Sequence, residues 1–171
     1  AVLQRLGYKW TVTDDMPFRT IHAIDTPATW IPSYGGIACF LRSSWYSNLA
    51  SGNNMPDGRD FAEELVRYFS RMYPHDERAY VIIAMDVETF WHHHKDGIQK
   101  FLIPFLEATT HIPIALCSGE MLLERYPIRQ ISIPAGSWST SEADMRANNP
   151  FPLWKDPTIE WHQKWWGLAE L

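Results

Sequence analysis

Residues 80–97 read YVIIAMDVETFWHHHKDG, an apolar run that ends at Asp86 and is followed by Glu88 and three histidines. The run 80–85 is apolar without alternation, which is typical of a parallel strand covered on both faces. A second such run, 112–117, follows a helical segment that Asp96 would cap and Pro104 would kink. The pattern predicts an α/β fold with mostly parallel strands and flanking helices.

Further segments along the chain agree with this alternation. Strands are predicted at 8–12, 37–41 and 130–133, and helices are predicted to start at Asp60, Ser118 and Asp156. A chain of 171 residues is long enough for one domain with a hydrophobic core and too short for two of ordinary size. We therefore expect a single domain over residues 1–171.

Composition excludes several classes of partner. The net charge is -5 and no Lys/Arg cluster occurs, so a nucleic acid is not expected as a partner. No apolar stretch reaches the ~20 residues of a membrane helix.

Cys39 and Cys117 lie in apolar runs, where buried free thiols are expected. Reduced thiols favour a cytoplasmic location.

Aromatic residues are abundant, with nine tryptophans in the chain, and this favours a ligand-binding cleft. Trp138 and Trp154 lie in the long polar segment 136–154 and have faces suited to stacking on a sugar ring. Trp161, Trp165 and Trp166 lie on the predicted final helix and are expected in the core.

The acidic residues leave two interpretations open. In an extended segment Asp86 and Glu88 would share a face, where mutual repulsion and burial can produce a general acid beside an ionised carboxylate. They would otherwise be solvated acids at the rim or helix caps. Asp14, next to Asp15 at the end of the first strand, is either a ligand-binding carboxylate or part of a turn.

The three histidines invite a metal-binding interpretation, which their spacing disfavours. Consecutive side chains diverge on a helix or a strand, so at most two of the three would face one ion. Neither HExxH nor CxxC occurs. We therefore predict no metal and no cofactor, and expect a histidine to hydrogen-bond a polar ligand.

Two stretches, AMDVETFWHH and PAGSWSTSEADMRANNPFPLW, resemble signature regions of glycoside hydrolase family 57, with supporting matches in LGYKWTVTDD, CFLRSSWYSN and LCSGEMLLERYP. The resemblance implies an incomplete (β/α)7 barrel and a retaining, double-displacement reaction on α-glucans or oligosaccharides. Asp86 falls on the position of the general acid/base. The implied cleft wall consists of Glu88, Trp91, His92, Trp138, Trp154 and, less centrally, Asp14. Trp91 departs from the family pattern, which has glycine there.

The family's nucleophile is a glutamate in a Trp-x-Pro-Glu-like region. Here WIP, residues 30–32, is followed by Ser33 and lies on the other side of the first strand. We expect the nucleophile to be missing, so that the chain is the C-terminal portion of a catalytic domain and is inactive alone. The open edge of such a partial barrel would be covered by its N-terminal part or by a second copy.

Two other functions remain open at the level of sequence. A metal-dependent polysaccharide deacetylase would use a strand end such as Thr13-Asp14-Asp15, but it also needs paired histidines about four residues apart, which the chain lacks. A non-catalytic carbohydrate-binding or scaffold subunit would keep the cleft and leave Asp86 silent.

Overall fold

The computed structural model describes residues 2–74 and 79–169. Helices and strands alternate along the chain. In order they are α1 Val2–Arg5, β1 Trp10–Asp14, α2 Asp15–His22, β2 Ile31–Tyr34, β3 Ile37–Arg42, α3 Ser44–Ser51, α4 Gly58–Met72, a 3-10 helix Val87–Phe90, a π-helix Ile98–Leu102, α5 Ile103–Ala108, α6 Gly119–Arg125, β4 Ile128–Gln130, α7 Glu142–Arg146 and α8 Glu160–Ala169.

The chain forms two compact units. The sheet unit comprises Ala1–Pro27, Pro32–Arg42 and Arg129–Leu171, and the helical unit comprises Ala28–Ile31 and Ser43–Ile128. The expectation of a single domain over residues 1–171 stays a prediction.

The sheet has four strands in the order β1-β3-β2-β4. β1 and β3 are parallel, from Trp10 opposite Ala38 to Asp14 opposite Arg42. β2 and β3 are antiparallel. Hydrogen bonds from Ile31 N–H to Pro127 O and from Ile131 N–H to Ser33 O advance in the same direction along β2 and β4, as in a parallel pair. The predicted mixed α/β class with mostly parallel strands is confirmed.

The hairpin between β2 and β3 was not predicted. Its turn consists of Gly35 and Gly36, with φ values of 58° and 77°. Two consecutive residues at positive φ form the turn that best matches the twist of a hairpin, and glycine adopts this conformation without strain. The Gly-Gly pair was therefore the available signal for an additional strand.

Each unit has its own apolar core. In the sheet unit β3 is almost wholly buried, and Trp10 contacts Phe40 edge-to-face with ring centroids 5.4 Å apart. In the helical unit the core residues are Tyr46, Ala50, Phe61, Leu65 and Phe101. Phe61 and Leu65 of α4 lie in this core and Phe69 packs against it, whereas Met72 is exposed.

The predicted strands at 80–85 and 112–117 are not strands in the structure. In the first, Ser43 N–H donates to Ile82 O, but Ala84 N–H donates to the Ser47 hydroxyl instead of continuing a ladder. In the second, Ile114 N–H donates to Ile112 O at 2.7 Å, a tight turn that bends the segment. An apolar run predicts burial, but a strand also needs a neighbouring backbone to pair with.

Helix starts are confirmed only in part. Ser118 caps α6 by accepting from Met121 N–H. Asp57, not Asp60, caps α4, and α8 begins at Glu160 because Asp156 accepts from Thr158 N–H in a preceding turn. The segment after Asp96 is helical but starts as a π-helix, and Pro104 opens α5. None of the helices in the described part of the chain is long and apolar enough to cross a membrane.

Both cysteines are free thiols. Cys39 is buried in β3, and burial raises the pKa of its thiol. Cys117 is exposed, so the expectation that both thiols are buried is wrong for Cys117. It lies on the bent segment 112–117, which lacks the strand neighbours that would have covered it.

Candidate active site

Asp86 lies immediately before the 3-10 helix Val87–Phe90, at the end of the extended segment 80–85. Its backbone is extended, with φ -66° and ψ 138°, and its carbonyl accepts from Thr89 N–H at 3.1 Å. The Asp86 side chain makes no capping hydrogen bond to this helix and is exposed. The carboxylate is therefore available to a ligand.

The expectation that Asp86 and Glu88 share a face of an extended segment is wrong. Glu88 lies within the 3-10 helix, which has three residues per turn, so the two-residue alternation of a strand does not apply. Within this 3-10 helix the buried residue is Thr89, which lies three positions after Asp86. Glu88 is exposed, and its carbonyl accepts from Trp91 N–H and His92 N–H.

Phe90 anchors the Asp86 segment to the core of the helical unit. Its ring stacks on Phe101, with centroids 5.6 Å apart and planes 19° apart. Gly97 packs against the backbone of Phe90, where an added Cβ would lie 2.8 Å from the Phe90 Cα and carbonyl oxygen. The close approach therefore requires glycine at position 97. Neither contact was predicted from the sequence, because both depend on how the chain turns back between Phe90 and Phe101.

The three histidines do not form a common ligand set. The rings of His92 and His93 meet edge-to-face at 5.0 Å, and His94 Nε2 lies 3.2 Å from the backbone oxygen of Ser51. Within residues 2–74 and 79–169, no three His, Cys, Asp or Glu side chains converge in a way that could hold a metal ion. His92 and His93 are exposed beside Trp91, whereas His94 is half-buried and its ring contacts the backbone of Ser51.

Asp14 is bound within the sheet unit. It is 5% exposed, and its oxygens accept from Met16 N–H at 3.1 Å and from Arg42 Nη1 at 2.7 Å. Burial raises the pKa of Asp14, although both hydrogen bonds act in the opposite direction. The neighbouring Asp15 is also buried and accepts from the Thr26 hydroxyl. Both oxygens of Asp14 are thus engaged inside the protein, and its contact with a ligand stays a prediction.

Trp138 and Trp154 are both exposed on irregular segments of the sheet unit. Trp138 lies in a turn in which Ser137 N–H donates to the Thr140 hydroxyl, and that hydroxyl donates to Pro150 O. The carbonyl of Trp154 accepts from the Trp166 indole N–H at 2.6 Å. Both rings therefore stand on segments tied down by hydrogen bonds.

The expectation that the tryptophans of the final helix lie in the core is wrong. Trp161, Trp165 and Trp166 of α8 are 59%, 67% and 40% exposed. The buried residue of this helix is His162. A helix buries only the residues that face a packing partner, so aromatic content alone does not place a ring in the core.

The predicted site residues are divided between the two units. Asp86, Glu88, Trp91 and His92 lie together on one short segment of the helical unit, and Asp14, Trp138 and Trp154 belong to the sheet unit. An apolar cavity of about 1170 Å³ in the helical unit is lined by Met85 and Phe90 but not by Asp86. The exposed segment, rather than the cavity, carries the polar groups suited to chemistry on a sugar.

The sequence matches the family model of glycosyl hydrolase family 57 over residues 1–134. The matched residues include the Asp86 segment and β1 to β4, while Trp138 and Trp154 lie beyond them. The chain belongs to glycosyl hydrolase family 57. It is thus a member of a glycoside hydrolase and transglycosidase family of carbohydrate metabolism. No curated protein and no solved structure matches the chain.

Proposed function

We propose that the chain is part of a retaining α-glucan hydrolase or transglycosidase in which Asp86 is the general acid/base. One observation carries the proposal: within the family-matched residues, Asp86 lies exposed at the end of an apolar extended segment, with its carboxylate not used as a helix cap. Asp86 would protonate the leaving glycosidic oxygen and then accept a proton from the incoming water or sugar hydroxyl.

The neighbours of Asp86 supply the proposed sugar contacts. The Glu88 carboxylate and the His92 ring are exposed on the same segment and would hydrogen-bond hydroxyl groups, while the Trp91 ring would stack on a pyranose face. In the sheet unit, Trp138 and Trp154 would form a second stacking surface. In the same unit Asp14, which is hydrogen-bonded to Arg42, would be a less central substrate contact.

The second carboxylate is proposed to come from outside these 171 residues. A retaining mechanism needs a nucleophile about 5–5.5 Å from the acid/base, and no Trp-x-Pro-Glu stretch occurs in the chain. The nucleophile would be carried by a preceding barrel segment or by another chain. We propose that both would lie in the cytoplasm.

The proposed architecture is the C-terminal part of an incomplete (β/α)7 barrel. Val12 of β1, Leu116 of the segment 112–117 and Ile128 of β4 are apolar yet exposed, as expected where further barrel elements would pack. Those elements, or a second copy of the chain, would cover these residues.

The test is glucan cleavage and transfer by the chain alone and by the chain joined, on its N-terminal side, to the nucleophile-bearing segment of a family 57 enzyme. With maltoheptaose as substrate, the 171-residue chain should be inactive, and the joined protein should release products that retain the α-anomer. Asp86→Asn should lower the rate by about 10²–10⁴-fold, the usual contribution of a general acid/base. Asp96→Asn is the matched control, because Asp96 is exposed and its carboxylate pairs with Lys100 on the surface.

Equal activity of the two variants would rule out Asp86 as the acid/base. Maltoheptaose binding without turnover in every form would support a carbohydrate-binding or scaffold subunit. Stoichiometric zinc in the purified protein, together with deacetylation of an acetylated oligosaccharide, would support the deacetylase.

A further inference from the structure

Helix α8 is joined by hydrogen bonds to the turn that carries Trp154. Asp156 N–H donates to His162 Nδ1 at 2.9 Å, and the Gln163 side chain donates to Asp156 O at 2.8 Å. The Trp166 indole N–H donates to Trp154 O at 2.6 Å. Residues 154–156 are thus held along one side of α8.

His162 differs from the other members of this contact. It is 2% exposed, whereas Gln163 and Trp166 are exposed and their hydrogen bonds compete with water. Its Nδ1 accepts the Asp156 backbone N–H, so this nitrogen carries no proton in that hydrogen bond. A buried acceptor that satisfies a backbone donor fixes the position of that backbone more firmly than a solvated contact does.

The turn on the other side of this bond is also ordered locally. The Asp156 carboxylate accepts from the Thr158 hydroxyl, from Thr158 N–H and from the Asn149 side chain. These hydrogen bonds, with that from the Thr158 hydroxyl the strongest influence, hold the pKa of Asp156 below its usual range. Of the hydrogen bonds that join this turn to α8, the bond to His162 is the one made by a buried side chain.

We propose that His162 is a positioning residue that holds the Trp154 turn against α8, so that the Trp154 ring is presented to a glucan. The inference rests on the proposed role of Trp154 in substrate binding. It goes beyond that role, because it assigns the orientation of the stacking surface to a buried side chain eight residues further along the chain. His162 also lies outside the family-matched residues.

The test uses two substitutions of His162 in the full chain. His162→Asn places Oδ1 at the same number of bonds from Cβ as Nδ1, so it keeps the acceptor. His162→Leu fills similar volume without an acceptor. Amide hydrogen exchange should show the Asp156 N–H protected in the wild type and in His162→Asn, and unprotected in His162→Leu.

The second measurement is maltoheptaose binding, with and without Trp154→Ala. His162→Leu should weaken binding roughly 3- to 10-fold, as expected for the loss of one ordering hydrogen bond, and His162→Asn should stay within about twofold. In the Trp154→Ala background, His162→Leu should cause no further loss, because both changes act through the same ring. Circular dichroism verifies that each variant is folded.

Three results would overturn the inference: protection of Asp156 N–H in folded His162→Leu, unchanged maltoheptaose affinity in that variant although Trp154→Ala weakens binding, or an equal further loss in the Trp154→Ala background. If the wild type shows the predicted exchange pattern but Trp154→Ala does not change maltoheptaose binding, the proposed role of Trp154 fails instead. The exchange measurement thus separates the positioning of the turn from its function.

Discussion

Arg42 Nη1 donates to Asp14 Oδ2 at 2.7 Å, and the bond joins the last residues of the parallel strands β1 and β3. The Asp14 and Arg42 side chains are largely removed from solvent. Removal of one partner from such a pair is destabilising, because the remaining buried charge loses the group that offset its desolvation.

Asp14→Asn should therefore destabilise the protein. The substituted amide still accepts from Met16 N–H, so we expect a loss of roughly 2–4 kcal/mol in the free energy of unfolding at neutral pH, near the lower range for a broken buried pair. Urea unfolding measures the difference. Asp25→Asn changes an exposed aspartate of the same unit and should have almost no effect. Equal free energies of unfolding for the two variants would show that the Asp14–Arg42 pair does not stabilise the fold.

Gly97→Ala should destabilise the helical unit. The new methyl group would overlap the backbone of Phe90, which cannot move without displacing its stacking on Phe101. We expect a loss of about 1–3 kcal/mol, as for overpacking elsewhere, measured by thermal unfolding. Gly167→Ala is the control, because a Cβ there meets nothing within 4 Å, and in α8 it should stabilise by about 0.5–1 kcal/mol. A Gly97→Ala protein as stable as the wild type would contradict the packing argument.

Asp144→Asn should make the free energy of unfolding depend less on pH in the acidic range. The Ser141 hydroxyl and backbone N–H hydrogen-bond Asp144 in a capping box and hold its pKa below the usual range. A lowered pKa in the folded state contributes stability above the usual aspartate value, and this contribution is lost as the pH falls through the folded value.

The wild type should therefore be more stable than Asp144→Asn at pH 7, and the difference should shrink as the pH approaches about 2. Denaturant unfolding at several pH values measures this trend. Glu142→Gln is the control in the same short helix, since Glu142 makes an exposed pair with Arg146. A difference that is constant with pH would show that the carboxylate charge does not stabilise the cap.

Trp91→Ala should weaken maltoheptaose binding by about 2- to 10-fold, the range for loss of one aromatic contact. Trp45→Ala is a matched control in the same unit, because Trp45 is 70% exposed and Trp91 is 53% exposed. Isothermal titration calorimetry compares the two variants. Equal affinities would remove Trp91 from the proposed cleft wall.

Much of the local structure follows from the order of residues along the chain. β1, β3 and α6 were predicted because an apolar run or a serine cap acts over only a few residues. The hairpin strand β2 was missed, although Gly35 and Gly36 mark its turn. Local signals thus predicted some elements close to their observed positions, and failed at 80–85 and 112–117, where strand formation depends on a neighbouring backbone.

The Asp86 segment shows where local reasoning stopped. Its residue types indicated a carboxylate site, but the shared face of Asp86 and Glu88 required an extended backbone, and the chain forms a 3-10 helix there instead. The tryptophans of α8 are a second case, because aromatic content does not specify which face a helix buries. The buried residue of that helix is His162, whose Nδ1 accepts a hydrogen bond from Asp156 N–H.

Sequence alone predicted the α/β class, the family, and the acidic and aromatic residues that we propose for a carbohydrate site. The three-dimensional structure determined that Asp14 forms a buried ion pair with Arg42 and that the backbone of Phe90 packs directly against Gly97. It also determined that the Trp154 turn is hydrogen-bonded to His162 and Trp166 of α8. The reason is physical. Propensities and motifs act between near neighbours, whereas burial, pairing and hydrogen-bond partners are set by residues that meet only after the chain has folded.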